Sequence, residues 1–312
     1  YISQMKRPYY NSPGLPISWE YKDFMPGKNE VVWVENRLNA PLEVKKAFQF
    51  LHSNDPRTKR DGEGYIPSDQ LYVLSPDSQK INFKKAKRFT RSEMMVMEML
   101  STNEWQRPIY FAVTIGSDYH LGLDPYLELT GLAYRITPGR SQDGRPRVNT
   151  EVMYDNMLHK FKYGNMNIPG IYIDENTMRM CRTHRMMFME LVEALYNEGK
   201  HDKCLETLDF AEKMLPGYNI PYDYTSATMA SYYYQLGEME KGNAIMTKVA
   251  DNCAEYLAWG ASLNKEHRAS SQSTTGHYMA VMGYVLQNFE RYQQKELFNH
   301  YYDIYVQYAS MR

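Results

Sequence analysis

The stretch from Met186 to Pro216, MMFMELVEALYNEGKHDKCLETLDFAEKMLP, constrains the fold more than any other part of the chain. Its apolar residues recur at helical spacing twice over. Met187, Leu191, Ala194 and Leu195 fall on one face of a first helix, and Cys204, Leu208, Ala211 and Leu215 on one face of a second. Glu198-Gly199-Lys200 is the turn between them. One helical hairpin cannot bury such a face by itself, so the pattern requires further hairpins stacked against it. It announces an interaction surface rather than a reaction.

The same register returns downstream. Gly237 follows Gly199 by 38 residues, which puts Met229, Ala230 and Tyr233 on first-helix positions and Gly242 and Met246 on second-helix positions. A third pair, about 278–288 and 292–308, lacks the glycine turn and reads as a terminal cap. Asp174 suits the N-cap of the first long helix, and from there onward the period is helical throughout. Leu191, Leu195, Gly199, Cys204, Leu208, Ala211 and Pro216 occupy signature positions of the tetratricopeptide repeat, which this segment resembles. The small residues at Cys204 and Ala211 belong where the two helices approach most closely.

The first half reads differently. Residues 1–30 are rich in Pro, Gly and Tyr and follow no period, as an irregular lead-in would. Strands are expected at 31–34, 69–74, 108–115 and 127–136. The run PIYFAVTI, residues 108–115, is apolar almost throughout, which predicts burial on both faces. One helix is expected from Pro41, with Leu42, Ala47, Phe50 and Leu51 inward, and another from a capping box of Thr90 and Glu93. A third is expected near 150–161, and Pro169-Gly170 makes a turn. The polar run 139–147 is the seam. The fold class is therefore α+β, with a small mixed α/β region over 1–147 and a tetratricopeptide-like α-helical hairpin array over 148–312.

Charge and composition narrow the function. With 36 basic and 37 acidic residues the formal net charge is -1, which argues against a dedicated nucleic-acid binder. No run approaches the roughly 20 apolar residues of a membrane span, and the chain begins at Tyr1 rather than Met, so it reads as a processed or excised piece. Cys181, Cys204 and Cys253 cannot all pair within one chain and leave the redox state open. No Gly-rich phosphate loop, nucleophile elbow or metalloprotease helix is present, so no cofactor is expected.

Four groups of residues carry site-like chemistry. Tyr232, Tyr233 and Tyr234 are expected to line the concave side of the array, offering rigid amphipathic contacts. Arg179, Arg182 and Arg185 lie three apart, a stripe that can hold an anion or, the favoured reading, pin the sheet region to the helices through ion pairs. Asp118 and His120, with Asp124, follow the strand at 108–115, where open sheets tend to bind ligands, although a plain polar loop is the simpler reading. Lys80 to Arg91 carries six basic residues around Phe83 and Phe89, as a membrane-surface contact or, more simply, a solvated segment. The pair Cys181-x-x-His184 and His201-x-x-Cys204 has zinc-like spacing. A helix length of about 24 Å separates the two halves, however, so no metal is expected.

Several segments together resemble a known family: SNDPRTK (53–59), NEWQRPIYFAVT (103–114), LTGLAYRI (129–136), VNTEVMYDNMLHKFKYGNM (148–166) and IYIDENTMRMCRTHRMMF (171–188). They look like the C-terminal soluble part of bacterial polytopic membrane proteins of unknown function, similar to protein O-mannosyltransferases and other lipid-sugar-dependent glycosyltransferases. The resemblance implies an upstream transmembrane region and places this piece on the periplasmic side of the bacterial inner membrane. Catalysis in such transferases uses a loop between early spans, to which no position here corresponds, so no catalytic residue carries over. The implied role is a soluble extracytoplasmic domain, itself non-catalytic, that holds an acceptor protein, a glycan or a partner subunit. The alternatives are a free-standing tetratricopeptide-like adaptor or glycan-binding lipoprotein, and an independent enzyme using the loop from Asp118 to Asp124.

Overall fold

Short strands dominate the first half because few of its apolar runs exceed four residues before a turn signal intervenes. The computed structural model describes residue 14 and residues 31–309; the expected lead-in, Gly14 apart, lies outside the described residues. The chain divides into two compact units, Tyr1–Asn149 and Thr150–Arg312. The first runs β1 (Val31–Trp33), β2 (Leu42–Glu43), α1 (Val44–His52), β3 (Lys59–Arg60), β4 (Glu63–Gly64), β5 (Leu71–Leu74), β6 (Lys80–Asn82) and β7 (Arg88–Thr90). It continues with α2 (Arg91–Asn103), β8 (Tyr110–Ala112), β9 (Leu127–Leu129), β10 (Ala133–Ile136) and β11 (Arg147–Val148).

These strands form small sheets: β1 with β7, β3 with β4, a three-stranded β2-β5-β6 and a four-stranded β11-β9-β10-β8. Their shared core holds Val44, Phe48, Leu71, Ile81, Phe89, Met94 and Met97. The capping box forms as expected: Thr90 accepts from the Glu93 N–H and Glu93 accepts from the Thr90 N–H, which opens α2.

Three expectations need correction. The helix expected from Pro41 begins at Val44, because Leu42 and Glu43 are drawn into parallel pairing with Leu71 and Tyr72. Its inward face is therefore Val44, Ala47, Phe48 and Leu51, and Phe50 turns aside against the Tyr65 ring. The run 108–115 is not a doubly buried strand. Only Tyr110–Ala112 pairs, at the edge of its sheet, so Phe111 is buried while Tyr110 and Ile115 are exposed. Finally, 127–136 is a hairpin rather than one strand. Gly131 takes φ 136, open to a residue without Cβ, and lets Leu129 face Tyr134.

The second unit is helical: α3 (Thr150–Asp155) continuing as a π-helical turn to Lys160, then α4 (Glu175–Asn197), α5 (His201–Met214), α6 (Tyr224–Gln235), α7 (Met239–Ser262), α8 (Lys265–Ser270), α9 (Gln272–Arg291) and α10 (Lys295–Ala309). Asp174 caps α4, accepting from the N–H groups of Asn176 and Thr177. Gly199 and Gly237 sit at φ 72 and 88, the left-handed conformation that ends a helix and turns the chain back. The predicted stripes are interior: Met187, Leu191 and Leu195 pack with Cys204, Leu208 and Ala211, all buried. Gly242 lets α7 approach α6 so closely that a Cβ there would lie 2.6 Å from the Tyr234 ring. The outcome is the expected α+β arrangement, small sheets followed by helical hairpins.

Candidate functional site

The three arginines of α4 part company. Arg179 is exposed and reaches Glu175 at 3.5 Å, Arg182 is exposed, and Arg185 is only 3% exposed. Burying a guanidinium requires that its donors be satisfied. Arg185 Nη1 donates to the Pro221 carbonyl at 2.9 Å, and Nη2 donates to those of Leu215 at 3.0 Å and Ile220 at 2.8 Å. The Tyr222 ring lies 5.5 Å from its Cζ, and the Tyr222 hydroxyl donates to Glu212. Burial lowers the Arg185 pKa, opposed by Asp223 and Glu212. Among the described residues the ion pair of this stripe is the one from Arg179 to Glu175, within its own helix. The stripe's innermost member holds the α5–α6 loop by backbone carbonyls within the helical unit.

That loop walls a groove of about 960 Å³ between α5 and α7. On one side stand Asp209, Glu212 and Lys213, and on the other Lys241 and Lys248, with the Tyr222 ring at the loop. Lys241 Nζ donates to both Asp209 oxygens at 2.8 Å, and Tyr233 donates to the same carboxylate at 2.9 Å. Burial raises the Glu212 pKa, with the Tyr222 hydroxyl and Arg185 pulling the other way. Asn252 Nδ2 donates to the Tyr222 carbonyl at 3.2 Å. Lys213 has no ion-pair partner among the described residues, and Lys248 comes no nearer than 3.9 Å to Asp251. The groove thus combines aromatic and aliphatic surface with two cations open to an incoming acceptor.

The tyrosine triplet does not share that groove. Consecutive helical residues diverge by about 100°, so three in a row cannot present one face. Tyr233 and Tyr234 are each 2% exposed. Tyr233 meets the groove wall, whereas Tyr234 donates to Asn243 at 2.7 Å and stacks on Tyr292. Tyr232, half-buried, stands edge-on to Tyr196 at 5.3 Å. A lysine face on α7 supplies the opposite wall of the groove. Lys241, Ala244, Ile245, Lys248 and Asn252 follow helical spacing, and that signal was open to view.

In the sheet unit the polar loop also divides. His120 is buried, its Nδ1 2.8 Å from Asp124 Oδ1 and its ring between Phe111 and Tyr134. Asp118 is exposed, and its backbone carbonyl accepts from Lys84 Nζ at 2.8 Å. His120 thus takes Asp124 rather than Asp118 as its carboxylate partner.

The sequence profile of the family described as TMEM260-associated domain 2 matches residues 1–81 and 73–156, together half of the 312 residues. The chain belongs to that family. No curated protein and no solved structure matches it. The TMEM260-associated domain 2 match ends at residue 156, so the groove residues lie beyond it.

The basic segment Lys80–Arg91 lies wholly inside the second TMEM260-associated domain 2 match, and its first two residues also fall in the overlap with the first. Phe83 and Phe89 are buried in the core, and Lys84 pairs with Glu93 at 3.2 Å. Its aromatic residues are therefore not available to enter a membrane. Cys181, Cys204 and Cys253 are free and buried, and burial pushes the Cys204 and Cys253 thiols up to about 12.

Proposed function

We propose that this chain is an extracytoplasmic portion of a membrane-anchored, glycosyltransferase-like protein, and that its tetratricopeptide-like helices dock an acceptor protein beside the membrane-embedded active site. The observation that carries the docking reading is the groove between α5 and α7, whose loop wall is fixed in advance by Arg185. Pre-ordering a wall lowers the entropy lost on binding. Family membership supports a membrane-protein context. Among the described residues no helix is long and apolar enough to cross a membrane, consistent with a portion lying outside the bilayer.

An extended polypeptide suits the groove better than a small metabolite. Lys213 and Lys248 offer donors along its length, Tyr222 offers an apolar ring, and Asp209 and Glu212 already hold protein donors. The transferase part of the reading is tested by comparing the glycoproteome of cells with and without the full-length protein. Loss of glycosylation from a defined set of proteins is expected, and an unchanged glycoproteome contradicts it.

A further inference from the structure

A second cavity, of about 540 Å³, lies at the far end of the helical unit. Its walls are Leu257, Gly260 and Ala261 of α7, Ala269 of α8, Gly276 of α9 and Tyr308 of α10. Small residues line it because each removes side-chain volume where four helices converge. Two charged residues stand on the wall, Lys265 and Arg268, and no carboxylate lines it among the described residues. Arg268 Nη2 donates to the carbonyls of Ala261 at 2.8 Å and Leu263 at 3.1 Å, which fixes the guanidinium beside the cavity and leaves its other donors without a hydrogen-bond partner among the described residues. Lys265 has no ion-pair partner among the described residues.

This combination decides between ligand classes. A peptide needs partners for its own N–H and carbonyl groups, and the polar side chains on the wall are few. The Thr275 hydroxyl already donates to the Ser271 carbonyl at 3.1 Å, which leaves Gln272. An acyl chain needs no such partners, and an anionic head beside it meets two cations with no competing acid. We infer that this cavity binds an anionic phospholipid, taking an acyl chain between α7 and α9 and its phosphate at Lys265 and Arg268. The site is independent of the α5–α7 groove and of the basic segment Lys80–Arg91.

The test is flotation of the whole chain with vesicles of phosphatidylcholine containing phosphatidylglycerol, against vesicles of pure phosphatidylcholine. Binding to the anionic vesicles and little to the neutral ones is expected. Lys265→Gln combined with Arg268→Gln removes two charges and should weaken binding roughly thirtyfold. Ala269→Phe keeps both charges but occupies the cavity, and shutting out even two methylenes of chain should weaken binding roughly tenfold. Circular dichroism of each variant confirms that the helices are intact. Failure to bind anionic vesicles, or equal binding to both kinds, overturns the proposal. So does an Ala269→Phe variant that binds as the parent does, since the cations would then act by surface adsorption alone.

Discussion

Arg185 Nη2 lies 2.8 Å from the Ile220 carbonyl oxygen, a contact made across 35 residues of chain in the interior of the helical unit. Leu215 and Pro221 supply the other two carbonyls. Removing the guanidinium strands three acceptors, and leaving a buried polar group unpaired costs about 1–3 kcal/mol. Arg185→Ala should destabilise the helical unit by on the order of 3 kcal/mol, read by urea denaturation followed through helical circular dichroism. Arg185→Lys should recover only part of this, because one ammonium cannot reach three divergent carbonyls. A variant as stable as the parent would remove the clamp from the account.

Two glycines should fail for different reasons. At Gly242 a Cβ would meet the Tyr234 ring at 2.6 Å, and that ring is held by stacking on Tyr292. Gly242→Ala should therefore cost about 1–3 kcal/mol through overpacking. At Gly237 nothing lies within 4 Å, but φ is 88, so Gly237→Ala should cost roughly 1–2 kcal/mol through backbone strain alone. Adding Tyr234→Phe leaves both losses in place, whereas Tyr234→Ala relieves the first and not the second.

Half-buried Glu190 on α4 should make stability fall as pH rises. Burial raises its carboxyl above the ordinary value of 4.5, and Glu193 one turn on adds to the effect. The folded chain then keeps a proton that the unfolded chain has released. The stability this group contributes is fully present below the ordinary value and is lost as pH rises through the folded one. Glu190→Gln should therefore be more stable than the parent at neutral pH, with the difference vanishing below the ordinary carboxyl value. A constant difference across that range would contradict the assignment.

The three thiols should be silent. Cys181, Cys204 and Cys253 are buried, and burial holds the last two near about 12. Thiolates are the reactive species, so a disulfide reagent at mildly alkaline pH should label the folded chain slowly and the urea-unfolded chain at all three positions. Rapid labelling without denaturant would place a cysteine at the surface.

The helical half was legible because its signals are local and long. The stripe through Leu191 and Leu195, the glycine turns at Gly199 and Gly237, and the Asp174 cap each depend on residues within one or two turns. The sheet half was read less well because its strands span two to four residues and find distant partners. Val31 pairs with Thr90, and Leu42 with Leu71, and no short-range pattern announces either. The Leu42–Leu71 pairing also moved the start of α1, and in a separate sheet β8 pairs only with the distant β10, which leaves 108–115 an edge strand. The site was partly visible. The lysine face of α7 follows helical spacing, but the role of Arg185 depends on where the 215–221 loop returns, which is set by tertiary packing.

The most direct measurement places a photo-crosslinking amino acid at the exposed position of Tyr218, on the groove rim, in the full-length protein. The account predicts adducts with the same proteins that lose glycosylation when the gene is deleted, and loss of those adducts when Lys213 and Lys248 are both reversed to Glu. Adducts with proteins whose glycosylation is unchanged, or adducts indifferent to the lysine reversals, would contradict it.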